Sequence, residues 1–137
     1  MWLSDDGKRG VSPDAAEDSD TPTYAGEAKC LDTKNHLLAI LQDYEAKQRD
    51  DYNPINSLKI GKEDYSYQCR QYFVINPYLE TLYFVLHDDR VALENIVTYW
   101  IVLKREHFAE SIDQQEQHQK DVTERVKKWI ALLKDIV

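Results

Sequence analysis

The stretch NPYLETLYFVLHDDRVALENIVTYWIVL, residues 76–103, is the densest apolar run in the chain and decides how the rest is arranged around it. Asn76-Pro77 is a typical helix start, because it places a capping side chain before a proline at the first helical position. The apolar residues that follow leave almost no polar face. The run therefore predicts a central hydrophobic hairpin of two helices, 77–87 and 89–110.

The composition after Gly61 favours helices over strands. No further glycine and a single proline, Pro77, occur there, whereas antiparallel sheets with tight turns need such residues. The sequence thus predicts an all-α fold, a small bundle of about four to five helices. Residues 55–75 fit a helix or a strand alternation equally well, so an α+β fold with a short hairpin in 55–75 is the alternative. The expected core includes Leu82, Leu86, Leu93, Val97 and Trp100.

An amphipathic helix is expected on either side of this hairpin. Asp32-Thr33 offers an N-cap for a first helix over 33–49. The polar segment 110–121 fits either a linker or continuous helix, and the capping-box spacing from Asp121 to Glu124 favours a new start there. The last helix is predicted to bury one apolar stripe, formed by Val122, Val126, Trp129, Ile130 and Leu133.

Residues 1–30 have the composition of a disordered segment. They contain three of the four glycines, two of the four prolines, and seven acidic residues against three basic ones. Such a segment buries too little apolar area to offset the entropy of ordering the chain. We predict a disordered acidic leader over 1–30 and a single helical domain over 31–137. Within the leader, Ser12-Pro13 and Thr21-Pro22 make Ser12 and Thr21 phosphorylation candidates.

Charge and hydropathy exclude several partners. A net charge of −8 repels a phosphate backbone, and no basic patch outweighs it, so nucleic acid is not an expected partner. No apolar segment reaches the roughly 18 to 20 residues of a membrane span. The N-terminus lacks the pattern of a secretory signal, and Cys30 and Cys69 do not form a metal-spaced pair. We expect a cytoplasmic or nuclear protein with reduced thiols.

Two groups of polar residues are candidates for a catalytic or metal-binding site. His87-Asp88-Asp89 combines an imidazole with two carboxylates, but a helix end followed by a helix start explains the same residues. His107, Glu110 and His118 share a face if the helix is continuous, yet the Glu-x-x-His motifs of metal-binding bundles are absent. We predict no catalytic residue, no metal and no cofactor, and hence no enzyme.

The remaining features favour a protein-interaction module. Nine tyrosines and three tryptophans provide amphipathic rings, which are enriched at protein interfaces. The leading hypothesis is a non-enzymatic helical adaptor or regulatory subunit that binds another protein, with a homo-oligomer through the C-terminal amphipathic helix left open. The predicted binding residues are aromatic, namely Tyr65, Tyr67, Tyr72, Trp129 and Trp2.

Two other functions compete with the adaptor hypothesis. The first alternative is an acidic inhibitor or immunity-type protein that blocks a basic site by charge mimicry. The second is a small metal-dependent or hydrolytic enzyme, for which the residues around His87 are the candidates. The sequence leaves open the partner's identity, the oligomeric state and the class of organism.

Overall fold

The computed structural model describes residues 1–136, which form eight β-strands and three α-helices. The strands are β1 Trp2–Leu3, β2 Gly10–Val11, β3 Ala15–Ala16, β4 Tyr24–Lys29, β5 Lys59–Ile60, β6 Glu63–Asp64, β7 Thr81–His87 and β8 Thr98–Lys104. The α-helices are α1 Thr33–Lys47, α2 Ser66–Ile75 and α3 Ala109–Ile136. Short 3-10 helices occur at Pro54–Leu58, Glu94–Ile96 and Arg105–Phe108.

A four-stranded mixed sheet in the order β3-β4-β7-β8 forms the centre of the fold. Its inner pair, β4 and β7, is parallel, and the chain between them contains α1 and α2. The two outer pairs, β3 with β4 and β7 with β8, are antiparallel. One face of the sheet packs into the core, where Leu82, Phe84 and Leu86 are fully buried.

The predicted helical hairpin at 77–87 and 89–110 is wrong, because the two apolar runs pair as the antiparallel strands β7 and β8. Burial alternates along β7, as expected for a strand with one covered face and one half-covered face. Leu82 and Leu86 are buried as predicted, whereas Leu93 is 62% exposed and Trp100 is 53% exposed. The all-α prediction is therefore incorrect, and the fold is α+β.

The prediction of a disordered leader is also wrong. Residues 2–29 contain four strands, and β4 lies inside the central sheet with a partner on each side. The α+β alternative agrees better with the structure, since β5 and β6 form a short antiparallel hairpin within 55–75. Gly61 makes its turn with a φ of +61°, a left-handed conformation in which residues with a side chain are strained.

The start of α1 agrees with the sequence prediction, whereas that of α3 does not. The Asp32 carboxylate caps α1 by accepting a 2.8 Å hydrogen bond from the N–H of Asn35, as predicted. In contrast, α3 is continuous through the polar segment, so the new start at Asp121 is wrong. The distal part of α3 also exposes the stripe predicted to be buried, with Trp129 59% exposed. No helix in residues 1–136 has the length and apolar character needed to cross a membrane.

Candidate active site

Two acidic side chains are brought together by the pairing of β3 with β4. Asp14 directly precedes β3, and its backbone N–H donates a 3.1 Å hydrogen bond to the carbonyl of Gly26 in β4. Its carboxylate accepts a 2.8 Å hydrogen bond from the backbone N–H of Ala28. Because Ala28 follows Glu27, these two bonds fix the Asp14 carboxylate next to the Glu27 position.

Glu27 points into the protein from the middle of β4 and is only 5% exposed. Its Oε1 accepts a 3.0 Å hydrogen bond from the side-chain amide of Gln68, and its Oε2 accepts a 2.6 Å hydrogen bond from the hydroxyl of Tyr72. A buried carboxylate is costly unless such partners satisfy it. The Glu27 side chain is therefore held in one orientation.

Lys29 adds a cation on the same face of β4. Side chains two positions apart on a strand point to the same side, so Lys29 lies beside Glu27. Its Nζ is 3.4 Å from Oε1 of Glu27 and 5.2 Å from the ring centroid of Tyr65. The site thus combines two carboxylates and one ammonium group within the β3–β4 pair.

Helix α2 supplies the groups behind Glu27. Gln68 and Tyr72 are four residues apart, which places both on the helix face turned toward β4. Burial, and then the hydrogen bond to Glu27, raise the pKa of Tyr72, and the charge of Asp14 raises it further. The Tyr72 hydroxyl consequently stays protonated and acts as a donor.

A cysteine near the site lacks the properties of a nucleophile. Cys69 is fully buried on α2, and burial together with the Glu27 charge raises the pKa of its thiol to about 12. A thiol must ionise to react, so Cys69 is inert at neutral pH. Its contribution is to the apolar core.

The residues around His87, which the sequence analysis considered and set aside, have structural partners. His87 ends β7, where its Nδ1 lies 2.8 Å from the hydroxyl of Thr98. The Asp88 carboxylate is buried and accepts hydrogen bonds from Thr33 and Arg90, which hold its pKa far below its usual range. Within residues 1–136, no group of three or more His, Cys, Asp or Glu side chains is arranged to hold a metal ion.

Three of the residues predicted to bind a partner surround the carboxylates. Tyr72 contacts Glu27 directly, Tyr65 lies under Lys29, and Tyr67 is 54% exposed on α2 next to Gln68. Trp2 packs edge-on against Tyr72, with ring centroids 6.1 Å apart. Trp129 is far along α3 and belongs to none of these contacts. Binding of a partner protein by these five residues stays a prediction.

The two phosphorylation candidates are exposed. Ser12 lies two residues before Asp14, and its backbone carbonyl accepts a 3.2 Å hydrogen bond from Tyr72. Thr21 lies in the turn between β3 and β4. Modification of Ser12 and Thr21 stays a prediction.

Sequence reasoning missed Asp14, Glu27, Lys29 and Gln68 as functional residues. The available signal was Glu27-Ala28-Lys29, an acid and a base two positions apart in a segment with strand alternation. It was overlooked because the surrounding glycines, prolines and acidic residues indicate disorder.

Comparison with known proteins gives a fold and no family. No family model and no curated protein matches the chain. Among solved structures, the chain is similar to LHK-Exo in complex with dAMP, with a TM-score of 0.54 and 14% identity over 84% of this chain. A second structure, an alkaline exonuclease (LHK-Exo) from Laribacter hongkongensis, aligns with a TM-score of 0.46 and 16% identity over 81% of this chain. The chain spans about half the length of these proteins, 51% and 50% respectively.

These findings contradict the predicted function. The predicted function was that of a non-enzymatic helical adaptor, whereas the structure is α+β and its fold is similar to that of an exonuclease. The same likeness, to a structure in complex with dAMP, contradicts the prediction that nucleic acid is not a partner. Of the hypotheses derived from the sequence, the small metal-dependent or hydrolytic enzyme agrees better with this fold than the adaptor does.

Proposed function

We propose that the chain is a metal-dependent hydrolase that cleaves phosphodiester bonds in nucleic acid. The observation that carries the proposal is the joining of Asp14 to β4 by the 2.8 Å hydrogen bond from Ala28, beside Glu27 and Lys29. Two carboxylates and an ammonium group on adjacent strands provide ligands for a cation and a positive charge for a phosphate.

The donor set fits a magnesium-type cation. Magnesium prefers oxygen ligands and is usually held by one or two carboxylates together with substrate phosphate and water. Asp14 is exposed, and Glu27 already has its orientation fixed by Gln68 and Tyr72. Asp14 and Glu27 would hold the ion. When bound, such an ion polarises the phosphoryl oxygen and lowers the pKa of a water molecule.

The remaining side chains prepare the carboxylates and the phosphate. Lys29 lies 3.4 Å from Glu27, so its ammonium group is placed to neutralise negative charge that develops on a phosphate next to the carboxylates. Gln68 and Tyr72 keep Glu27 from rotating, and a preorganised ligand avoids the cost of reordering during the reaction. Lys29 thus supplies positive charge, and Gln68 and Tyr72 hold Glu27 in place.

The fold supports phosphodiester hydrolysis over other hydrolytic reactions. The likeness to an exonuclease is distant, at 14% identity, and it covers only half of that protein. The proposed substrate rests on this fold together with the charges of the site. A metal ion and a lysine together neutralise the negative charge of a phosphodiester.

The direct test is cleavage of a fluorescently labelled oligonucleotide, single-stranded or duplex, by the purified protein. We expect shortened products in magnesium or manganese and intact oligonucleotide in excess chelator. A parent protein that leaves every oligonucleotide intact in both metals would contradict the proposal.

A further inference from the structure

We infer that a groove running from Gln68 and Tyr72, the two α2 residues bonded to Glu27, to Arg9 binds one strand of nucleic acid, so that the substrate reaches the proposed active site single-stranded. The inference rests on the proposed function, because it assigns the path of the strand whose phosphate meets Asp14, Glu27 and Lys29. The groove consists of two adjoining cavities along α2 and α3. The groove lies on the surface beside Asp14 and Glu27, and these two residues do not line it.

The two cavities share lining residues, and the first adjoins the side chains that hold Glu27. The first, of about 330 Å³, is lined by Gln68 and Tyr72, the two residues bonded to Glu27. The second, of about 420 Å³, extends to Arg9 and the exposed His118. Both cavities are lined by Tyr67 and Gln71, which join them.

The lining of the groove lacks carboxylates, which is unusual in a chain with a net charge of −8. Three other cavities of the described residues each include at least one, such as Asp14 and Glu27, Asp5 and Glu116, or Asp20. The groove offers amides, hydroxyls and the Arg9 guanidinium instead. A polyanion therefore meets the least repulsion along this path.

Tyr67 provides a stacking surface. Its side chain is 54% exposed in the middle of the groove, while its hydroxyl accepts a 2.9 Å hydrogen bond from the side-chain amide of Gln119. A ring that is fixed at one end and open on its face suits a nucleobase, and every base can stack there. Bases in a duplex are already stacked on their neighbours, so this platform favours an unpaired strand.

Arg9 marks the far end of the groove. Its guanidinium donates a 3.1 Å hydrogen bond to Gln119 and lies 3.7 Å from Glu116, and its side chain is 13% exposed. A phosphate at this end of the groove would meet the Arg9 guanidinium.

The number of cations also favours one strand over two. Within the groove, Arg9 is the only Lys or Arg among the lining residues of these two cavities. A duplex is usually bound by many phosphate contacts on two backbones, whereas single strands are bound by a few charges together with aromatic stacking.

The test measures the binding of a labelled oligothymidine of about 12 nucleotides by fluorescence anisotropy in excess chelator, where hydrolysis does not occur. We expect Tyr67→Ala to weaken binding about tenfold, and Tyr67→Phe, which keeps the ring, to bind like the parent. Tyr44→Ala is the matched control, since Tyr44 is 61% exposed on α1 outside both cavities. Circular dichroism verifies that each variant is folded.

The salt dependence of binding distinguishes a contact between Arg9 and phosphate from a purely structural role of Arg9. Arg9→Ala should reduce the slope of log affinity against log salt by about 0.7, the value expected for one lost phosphate contact on a single strand. Arg49→Ala should leave the slope unchanged, because Arg49 is exposed and pairs only with Asp51 at 3.8 Å.

The groove inference is overturned if Tyr67→Ala binds like the parent, if the parent does not bind the oligonucleotide, or if a duplex of equal length binds as tightly. Cleavage by the parent in magnesium is scored separately. If the parent cleaves while Tyr67→Ala binds normally, the groove fails and the proposed function stands. If the groove variants lose binding but the parent never cleaves, the proposed function fails.

Discussion

The hydroxyl of Tyr72 donates a 2.6 Å hydrogen bond to the carboxylate of Glu27, and both groups are buried between α2 and β4. Gln68 approaches the other oxygen of the same carboxylate from one turn earlier in α2. Strand β4 therefore carries the candidate ligand Glu27, and helix α2 fixes its orientation. Substitutions in β4 and in α2 are expected to have different effects.

Tyr72→Phe removes one donor to Glu27 and keeps the ring that packs against Trp2. We expect kcat for oligonucleotide cleavage to fall about 10- to 100-fold with little change in KM, because the Glu27 ligand becomes less well oriented. Steady-state kinetics measures both constants. Tyr44→Phe on the exposed face of α1 is the control. An unchanged kcat would show that the Tyr72 hydroxyl has no positioning role.

Gln68→Leu should have a similar effect on kcat, and Gln68→Glu a larger one, since it places a second negative charge 3.0 Å from Glu27. Gln114→Glu makes the same chemical change at an exposed position of α3 and should be neutral. The comparison uses kcat measured at saturating metal. If Gln68→Glu retained parental activity, the orientation of Glu27 by α2 would not matter for catalysis.

Asp43 is a fully buried carboxylate whose charge depends on pH. Burial acts to raise its pKa, but the polar groups of Ser57, Tyr52, Tyr99 and Lys47 outweigh burial, and the net pKa is lowered. A lowered pKa in the folded state stabilises the protein above the unfolded value, about 3.9, and this stabilisation is lost as pH falls through the folded value.

Asp43→Asn should therefore cost about 1.5–3 kcal/mol of unfolding free energy at pH 7, the range for hydrogen bonds to a charged group. The difference between parent and variant should shrink as pH falls below about 4. Urea denaturation at pH 7, 5 and 3 measures it, with exposed Asp50→Asn as the control. A difference that stays constant down to pH 3 would mean that the Asp43 charge contributes nothing.

The two ends of the 105–136 segment should differ sharply in their contribution to stability. Phe108 is 1% exposed and stacks against Phe73 with ring centroids 5.2 Å apart, so Phe108→Ala should cost about 3–5 kcal/mol. Trp129 is 59% exposed on distal α3, and Trp129→Ala should change the unfolding free energy by less than about 0.5 kcal/mol. A large cost at Trp129 would show that distal α3 is covered.

The sequence allowed the apolar core to be located but not its secondary structure. Residues 81–87 and 98–104 were correctly expected at the centre, and Leu82 and Leu86 are buried. A short apolar run fits a buried strand as well as a helix, and the scarcity of glycine and proline tipped the interpretation toward helices. Here β7 and β8 are joined by a ten-residue connection containing a 3-10 helix, which needs no tight glycine turn.

The candidate site could not be found because its first half lies in a segment whose composition indicates disorder. β4 is stabilised by long-range pairing with β7, and Glu27 lies opposite Phe84 in the register. Local composition carries no information about such a partner 57 residues away along the chain. Tyr65, Tyr67 and Tyr72 were identified as functional residues from their aromatic character alone, and the carboxylates beside them were not.

The proposed activity depends most directly on Asp14 and Glu27. The decisive measurement is the initial rate of labelled-oligonucleotide cleavage in magnesium by the Asp14→Asn and Glu27→Gln variants. Both variants keep the side-chain shape and remove a charged oxygen ligand, so each rate should fall about 100-fold or more, and circular dichroism verifies that each variant is folded. Asp18→Asn, at an exposed position outside the site, should cleave like the parent. Folded Asp14→Asn and Glu27→Gln proteins that cleave at the parental rate would contradict the assignment.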